Sequence, residues 1–598
     1  MRMKIDTSTQ PILPLPVSWE ECRQRGWEYL DILLVCGDAY IDHPSFGVAL
    51  IGRYLQAKGY RVAILAQPRY HSAEDFQKFP EPKLFCGITA GNLDSIVANY
   101  TSNAKVRDND AYSPNGNPWR TATPDRNSRY RPDRATLIYS NLARATFPET
   151  LLVLGGIEAS LRRFVHYDYQ QQKLRASVLT DAKADLLVFG MGEKAVAEIA
   201  ERRMNNQPTT GIAGTCERLT DQNLNIRYPN ILEKSGQALI LPSYTEIIAD
   251  HDLFLSAETA IDAHCRAAAN TLILQKQQTH WLVQHRPQPP LTSRELDELY
   301  ELPYTRIAHP PQDVPALRMI RDSVTIVRGC SGNCSFCAIT RHQGAVIQSR
   351  SRESILAECT LLTRQQGLGG TISDLGGPTA NLYGTSCAKS SCTKKDCLYP
   401  KTCPNLLLHE DRFLSLLEEV SGIPGVNHVF LSSGLRMDLL LKTPRLMQRI
   451  HDFHTPGALK IAPEHSCDDL LQIMHKESHD ILEKFILAWQ KLNDSLGKRM
   501  QLSPYVISAH PGSTMNHVQK LIRDFRKLNL PIYKFQDFTP TPGTLSTAMY
   551  VSGKSRIKGK PLPVTRLNSE KKAQRQAIEQ GLMKLPQSGS TALRKRKK

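Results

Sequence analysis

Apolar residues along this chain come in short, dense runs separated by longer stretches of mixed character. Asp31–Gly37 (DILLVCG), Tyr60–Leu65, Leu84–Ala90, Leu151–Gly156 and Ala184–Glu193 are such runs, rich in Val, Ile and Leu. Their length and composition predict buried strands. Between them lie stretches such as Gly47–Lys58, where Val48, Ile51 and Leu55 recur at helical spacing. Strands alternating with helices predict a parallel, doubly wound α/β sheet over residues 30–210, preceded by an arm at 1–29. The polar stretch Asn103–Arg134 reads as an inserted loop. Residues 211–315 are expected to be a helical and linking region, because Tyr244–Leu274 has helical spacing and Arg286-Pro287-Gln288-Pro289-Pro290 is a stiff connector.

The rhythm resumes over residues 316–552. Strands are expected at Val324–Val327, Thr371–Leu375, Asn427–Leu431, Ala458–Ala462, Gln501–Ser508 and Tyr533–Phe538, with helices between, such as Arg352–Gln366. A polar or Gly-rich cluster follows each strand, which packing alone does not account for.

The chain has 598 residues, enough for two to four domains that each bury a core. Its start is not a signal peptide, and no run approaches the roughly 18 apolar residues of a membrane span. Of the net charge of +17, +12 falls in residues 553–598, where 14 Lys and Arg face two acidic residues. The remainder carries +5. The charge is therefore mostly a tail ending Arg594-Lys595-Arg596-Lys597-Lys598, expected to be disordered, with a weak salt-dependent nucleic-acid contact as the alternative.

Eight of the fourteen cysteines lie between Cys330 and Cys403, seven of them in two groups, which points to metal chemistry in a reducing, cytoplasmic setting. Cys330, Cys334 and Cys337 sit in VTIVRGCSGNCSFCAITRH, spaced C-x-x-x-C-x-x-C after a predicted strand. Three thiolates this close suit an iron–sulfur cluster, and Gly329, Gly332 and Asn333 let the loop bend. A zinc site with His342 as fourth ligand is the alternative. A second group, Cys387, Cys392, Cys397 and Cys403, lies in an insertion at 384–406 with Lys389, Lys394, Lys395 and Lys401 around it. It predicts a separate zinc or iron–sulfur centre, since so polar a segment orders itself poorly without one.

The three-cysteine stretch resembles the signature of the radical S-adenosylmethionine (SAM) enzymes. The resemblance implies a [4Fe–4S] cluster with one iron open to SAM, Phe336 near the adenine, and a partial (β/α)6 TIM barrel with its chemistry at the strand ends. Gly376-Gly377 match a SAM-contacting motif of that superfamily, with Pro378 where an acidic residue is common. Ser432, Ser433 and Arg436 suit the ribose and carboxylate of SAM. Glu464, His465 and His510 are candidate proton-transfer groups.

The N-terminal sheet is similar to cobalamin-binding domains. However, His43 is displaced relative to their D-x-H-x-x-G motif and no S-x-L partner follows, so the fold is expected without the corrinoid. Together VRGCSGNCSFCAIT, SDLGGPTANLYG, the four-cysteine insertion, SSGLRMD, KIAPEHS, AHPGST and QDFTPTPGT resemble the YgiQ family of radical SAM proteins. The implied activity is reductive SAM cleavage to a 5′-deoxyadenosyl radical that acts on a substrate. The electron would come from a donor such as flavodoxin or ferredoxin. The rival reading is a non-catalytic iron–sulfur or zinc protein in RNA binding or redox sensing.

Overall fold

The computed structural model describes residues 12–583 apart from 123, 124, 126, 127, 235, 268–270, 365–368, 390, 391 and 393–395. The basic run Arg594–Lys598, and Lys394 and Lys395, lie outside the described residues.

Nine strands form the N-terminal sheet: β1 (Ile32–Cys36), β2 (Val62–Ala66), β3 (Phe85–Thr89), β4 (Leu152–Leu154), β5 (Leu186–Val188), β6 (Thr215–Leu219), β7 (Ala238–Leu241), β8 (Leu272–Lys276) and β9 (Trp281–Gln284). Their spatial order is β2-β1-β3-β4-β5-β6-β9-β8-β7. The first five are mutually parallel, with Leu34 opposite Ile64 on one side and Gly87 on the other. Their side chains are buried on both faces, as the apolar runs predict. β6 joins antiparallel to β5, and β9 lies antiparallel between β6 and β8.

The expectation of a helical and linking region at 211–315 is corrected by these strands. They are four or five residues long, and β7 is only partly buried, so they lack the continuous apolar signal of the first five. The predicted helical stretch resolves into helices Tyr244–Ala249 and His251–Ala267 and then β8. The arm is not loose either, because Leu15 and Cys22 are fully buried and Ile64 N–H donates to Pro16 O.

The second half is an arc of six parallel steps in chain order. β10 (Ser323–Thr325) pairs with β11 (Asp374–Gly376), and Thr371–Ile372 pairs with β12 (His428–Val429). Leu435 bridges Ile461, β13 (Ala458–Glu464) pairs with β14 (Gln501–Ser508), and β14 pairs with β15 (Gln536–Asp537). This is the expected partial barrel, with helices such as Arg352–Thr363, Glu410–Ser421 and Met515–Lys527 outside it. The tail is not wholly disordered. Helix Asn568–Leu582 buries Ile578 and Leu582 against the barrel, and Arg526 donates to Gly581 O at 3.0 Å.

The two halves share one apolar core. Leu33, Val35 and Leu154 from the sheet belong to the same packed cluster as Leu470, Ile507, Phe538 and Met549 from the barrel side. That packing brings the carboxyl edge of the sheet against the strand ends of the barrel. Among the described residues, no helix is long and apolar enough to cross a membrane.

Candidate active site at the mouth of the barrel

The loop after β10 leaves the barrel through Val327-Arg328 and turns at Gly329, whose φ is +79° and whose added Cβ would strike the Val346 carbonyl. Cys330 and Cys334 curl around Gly332. A Cβ there would stand 3.4 Å from Cys330 Sγ, 3.8 Å from Cys334 Sγ and 3.2 Å from Arg436 Nη1. The loop is clamped from the far side of the barrel, where Ser335 N–H donates to Met474 O at 3.0 Å and Ser335 O accepts from Ser546 N–H at 2.8 Å. Burial pushes the Cys334 thiol up to about 11 and Cys337 up to about 12; the neighbouring thiols add to the rise at Cys337. Lys476 and Arg436 work in the opposite direction on Cys334, which places two cations beside the thiol trio.

Arg436 is 9 % exposed and already committed. Its Nε and Nη2 hold Asp438 at 3.0 and 2.9 Å, and Nη2 also reaches Glu477 at 3.0 Å. Burial opposes its charge, but Glu477 and Asp438 outweigh that and raise its pKa. The expected fork toward the SAM carboxylate is therefore corrected: two of the three guanidinium nitrogens serve protein carboxylates, and Nη1 faces the cysteine loop. Lys476 completes the group by pairing with Glu477 at 3.1 Å.

The serines are held in a similar way. Asp374, on β11, accepts from Ser432 N–H (2.8 Å), Ser433 N–H (3.0 Å) and the Ser433 hydroxyl, while Ser432 donates its own hydroxyl to Ser373 O. Their protons are spent on the strand end, so toward a ribose they offer only lone pairs. Gly376 and Gly377 make this closeness possible. A Cβ on the first would collide with Ser433 Oγ and Asp374, and one on the second with the Val327 carbonyl. Asn381, in the same motif, clamps the Arg436 backbone from both sides, donating to its carbonyl at 2.9 Å and accepting from its N–H at 3.1 Å.

Of the three proton-transfer candidates, Glu464 carries a buried side-chain oxygen that is left without a partner among the described residues. It ends β13 beyond a register shift, at φ +64°, and is 5 % exposed. A bulge and a left-handed backbone at a non-glycine are both uncommon and cost energy. Among the described residues its Oε2 has no hydrogen-bond partner, and burial raises its pKa to about 7 against the pull of Lys476.

His465 and His510 are both buried among protein partners. His465 is 2 % exposed, its Nδ1 accepts from Cys467 N–H at 3.1 Å, and burial holds its pKa near 3. His510 is fully buried between Pro511 O (2.8 Å) and Ser546 Oγ (2.7 Å), and Ser546 Oγ lies 2.9 Å from Ser335 Oγ in the cysteine loop. Burial lowers its pKa to about 4, so it is a neutral prop at physiological pH. Phe336 meets the His510 ring edge-on, with centroids 6.3 Å apart.

His342 is not aimed at the thiols as a fourth zinc ligand; its Nδ1 is 3.0 Å from Ser160 Oγ of the N-terminal domain. His43 is equally engaged. Ser45 N–H donates to its Nδ1 at 3.0 Å, and Nε2 lies 2.9 Å from Arg306 Nη1.

The insertion is tied to the core loop. Cys387 and Leu406 pair in a short antiparallel ladder, and Cys403 N–H donates to Cys397 O at 2.7 Å. Burial raises the Cys397 thiol to about 11, and Cys403, Cys387 and Cys392 all act on it electrostatically, so the four converge. Cys397 and Cys330 pack on the same apolar cluster of Leu382, Leu398 and Leu439. Asp396 bonds His475 at 3.0 Å and takes a further hydrogen bond from Asn333 in the core loop. Among the described residues, no three His, Cys, Asp or Glu side chains stand close enough to hold a single metal ion.

Sequence reading missed Asp374, Asn381, Asp438, Lys476 and Glu477. Two signals were available in SDLGG and HKES, where charged residues interrupt otherwise apolar or small segments beside strand ends.

An arc of six parallel strands with a three-cysteine loop at its mouth, set against a doubly wound sheet, defines a radical SAM enzyme. Residues 14–323 match the family model described as Radical SAM N-terminal. The chain is 44 % identical over 564 residues to a UPF0313 protein of Thermotoga neapolitana, covering 92 % of this chain and 96 % of that one. It is 41 % identical over 570 residues to a UPF0313 protein of Methanocella arvoryzae, covering 94 % and 92 %. The chain belongs to the UPF0313 family. Among solved structures, it resembles the radical SAM methyltransferase TsrM of Kitasatospora setae with cobalamin and a [4Fe–4S] cluster bound. The TM-score is 0.50 and the identity 13 %, over 92 % of this chain and 86 % of that one. That likeness concerns the fold.

Proposed function

We propose that Cys330, Cys334 and Cys337 hold the [4Fe–4S] cluster, with its fourth iron open to SAM, and that the barrel mouth directs the chemistry at a substrate lying toward the N-terminal sheet. When bound, cluster and SAM supply one-electron cleavage of SAM to methionine and a 5′-deoxyadenosyl radical, which abstracts hydrogen from the substrate. The carrying observation is that two buried cations, Arg436 and Lys476, act on Cys334 within the three-cysteine loop. Positive charge lowers thiol pKa values and offsets the negative charge of a thiolate-bound cluster. Burial raises the Cys334 and Cys337 thiols, so binding them as thiolates releases protons.

The remaining residues orient and exclude water. Asp374 and the two glycines shape the strand ends, and Phe336 covers the pocket beside the loop. Glu464 offers a carboxyl that is half protonated near pH 7. Pro378 leaves no acidic group at its own position, and Glu464 supplies one at the mouth. His510, through Ser546 and Ser335, holds the loop in place.

The electron is assigned to a ferredoxin- or flavodoxin-type donor. A cytoplasmic setting is assigned with it, from the clustered rather than paired cysteines of the sequence. The four-cysteine group is assigned a second iron–sulfur centre rather than zinc. The insertion packs on the same apolar cluster as Cys330 of the core loop, and four thiolates are the ligand set of such clusters.

The sequence expectation of a sheet without a corrinoid finds no support in the comparisons, because the fold is shared with a cobalamin-bound protein. The geometry supports a narrower statement: His43 is not a cobalt ligand here, both ring nitrogens being engaged. No nucleic-acid role is assigned.

Anaerobic reconstitution with iron, sulfide, SAM and dithionite tests the main reading. The native protein should form 5′-deoxyadenosine and Cys334→Ala should not. Cleavage at the native rate in that variant would remove the site.

A further inference from the structure

A cavity of about 510 Å³ lies between the carboxyl edge of the N-terminal sheet and the barrel mouth. That volume is in the range of small-molecule sites. Its sheet side includes Cys36 at the end of β1, Thr89 at the end of β3, and the glycines Gly155, Gly190 and Gly192. The order β2-β1-β3-β4-β5 reverses direction between β1 and β3, the crevice where open α/β sheets bind ligands. Its barrel side includes Thr325, Val327, Gly377 and Pro378, the ends of the first two barrel strands.

The wall is mostly apolar, and His342 is among the few polar side chains on it. His342, on the helix Ile339–Gln343 that follows the cysteine loop, lines the cavity. Ser160 has a single hydroxyl proton, which it donates to Gly156 O at 2.9 Å, and it also accepts from Gly190 N–H at 3.0 Å. Every group in this contact is satisfied when Nδ1 carries the imidazole proton and donates to Ser160 Oγ, 3.0 Å away. Nε2 is left with its lone pair. Among the described residues it finds no hydrogen-bond partner, and it is not sealed within the protein. Burial lowers the His342 pKa to about 4, so the ring stays neutral. The ionised groups nearby, Glu193 and Arg328, pair with each other at 2.6 Å. Gly155 presents bare backbone; a Cβ there would meet nothing within 4 Å and would stand in the cavity. A wall of backbone on one side and the in-plane His342 Nε2 on the other suit a flat ligand edge.

We propose that this cavity is the substrate pocket of the enzyme, and that it takes an uncharged, largely apolar ring system whose edge donates an N–H to His342 Nε2. The proposal rests on the radical SAM reading and names the substrate class for that site. No metal is assigned to His342, since no second ligand accompanies it among the described residues.

Binding is measured without reductant, so it is read separately from SAM cleavage. Indole and 1-methylindole are the probes, because they differ only in the N–H. Calorimetric titration of the full-length reconstituted protein should show indole binding about tenfold or more tightly than its methylated form, since the methyl leaves the buried acceptor unpaired. His342→Phe should abolish that preference, and Gly155→Val should weaken both probes, with iron content per chain reporting that each variant has folded. Equal affinity of the native protein for both probes, or no indole binding, would overturn the proposal without touching the SAM reading. Retention of hydroxocobalamin through gel filtration with displacement of indole would overturn it in favour of a corrinoid site.

Discussion

Replacing Arg436 by Ala separates two accounts of this residue. If the guanidinium bound only the SAM carboxylate, the variant would keep its iron and its stability and lose SAM affinity. The structure predicts otherwise. Arg436 is 9 % exposed and bridges Asp438 (7 %) and Glu477 (5 %). Removing the cation leaves the Asp438 carboxylate buried without its partner, while Glu477 retains Lys476. Breaking a buried ion pair from one side costs about 3–5 kcal/mol. For a unit of roughly 200 residues each kcal/mol moves Tm by about 2–4 °C, so a fall of about 6–20 °C is expected. Arg436 Nη1 also stands against Gly332 between Cys330 and Cys334, so iron and sulfide per chain after reconstitution should fall as well. Calorimetric melting and iron analysis on the same preparation measure both. Arg436→Ala with Asp438→Asn should recover about half of the lost stability, because the stranded charge is gone. A single variant with native Tm and full iron but a tenfold weaker SAM affinity would refute this reasoning and restore the direct SAM contact.

Glu464 gives a pH signature. Its folded pKa of about 7 lies above the ordinary 4.5, so the folded chain keeps a proton that the unfolded chain releases. Its contribution is full below pH 4.5 and is lost as pH rises through 7, by about 3 kcal/mol. Glu464→Gln should therefore melt higher than the native protein at pH 8 and show no such gain at pH 5; the reverse order would exclude a buried, reluctant carboxylate. For Cys387, Cys392, Cys397 and Cys403, metal analysis of a chain lacking the three core cysteines should return iron with sulfide. Zinc alone would reassign the site, and four freely alkylated thiols in the native protein would leave an ordinary loop.

Much of the architecture was legible in the order of residues. Runs such as DILLVCG and LLVLGG are apolar on both faces, which only a strand buried on both sides requires, and six further runs marked the barrel. The cysteine loop was legible for a local reason: its three sulfurs, its glycines and Phe336 lie within a few residues of one another, so covalent spacing alone restricts what they can hold. The short strands β6 to β9 were not legible, because four or five residues with polar edges carry no distinct period. Helix Asn568–Leu582 was hidden within a basic stretch, since its buried Ile578 and Leu582 are few and most residues around them are polar or charged.

The roles of single polar residues belonged to the tertiary structure. Ser433 and Arg436 are as suited to SAM as to protein partners when read one at a time. Only the fold brings Asp374 to the serine 59 residues away, and Glu477 to the arginine 41 residues away. His510 and His342 look alike as isolated histidines. One is enclosed with both nitrogens bonded, and the other turns one nitrogen to a serine 182 residues distant and leaves the second toward the cavity. Burial and partner identity set hydrogen-bond direction and pKa, and both depend on distances in space that sequence separation does not encode.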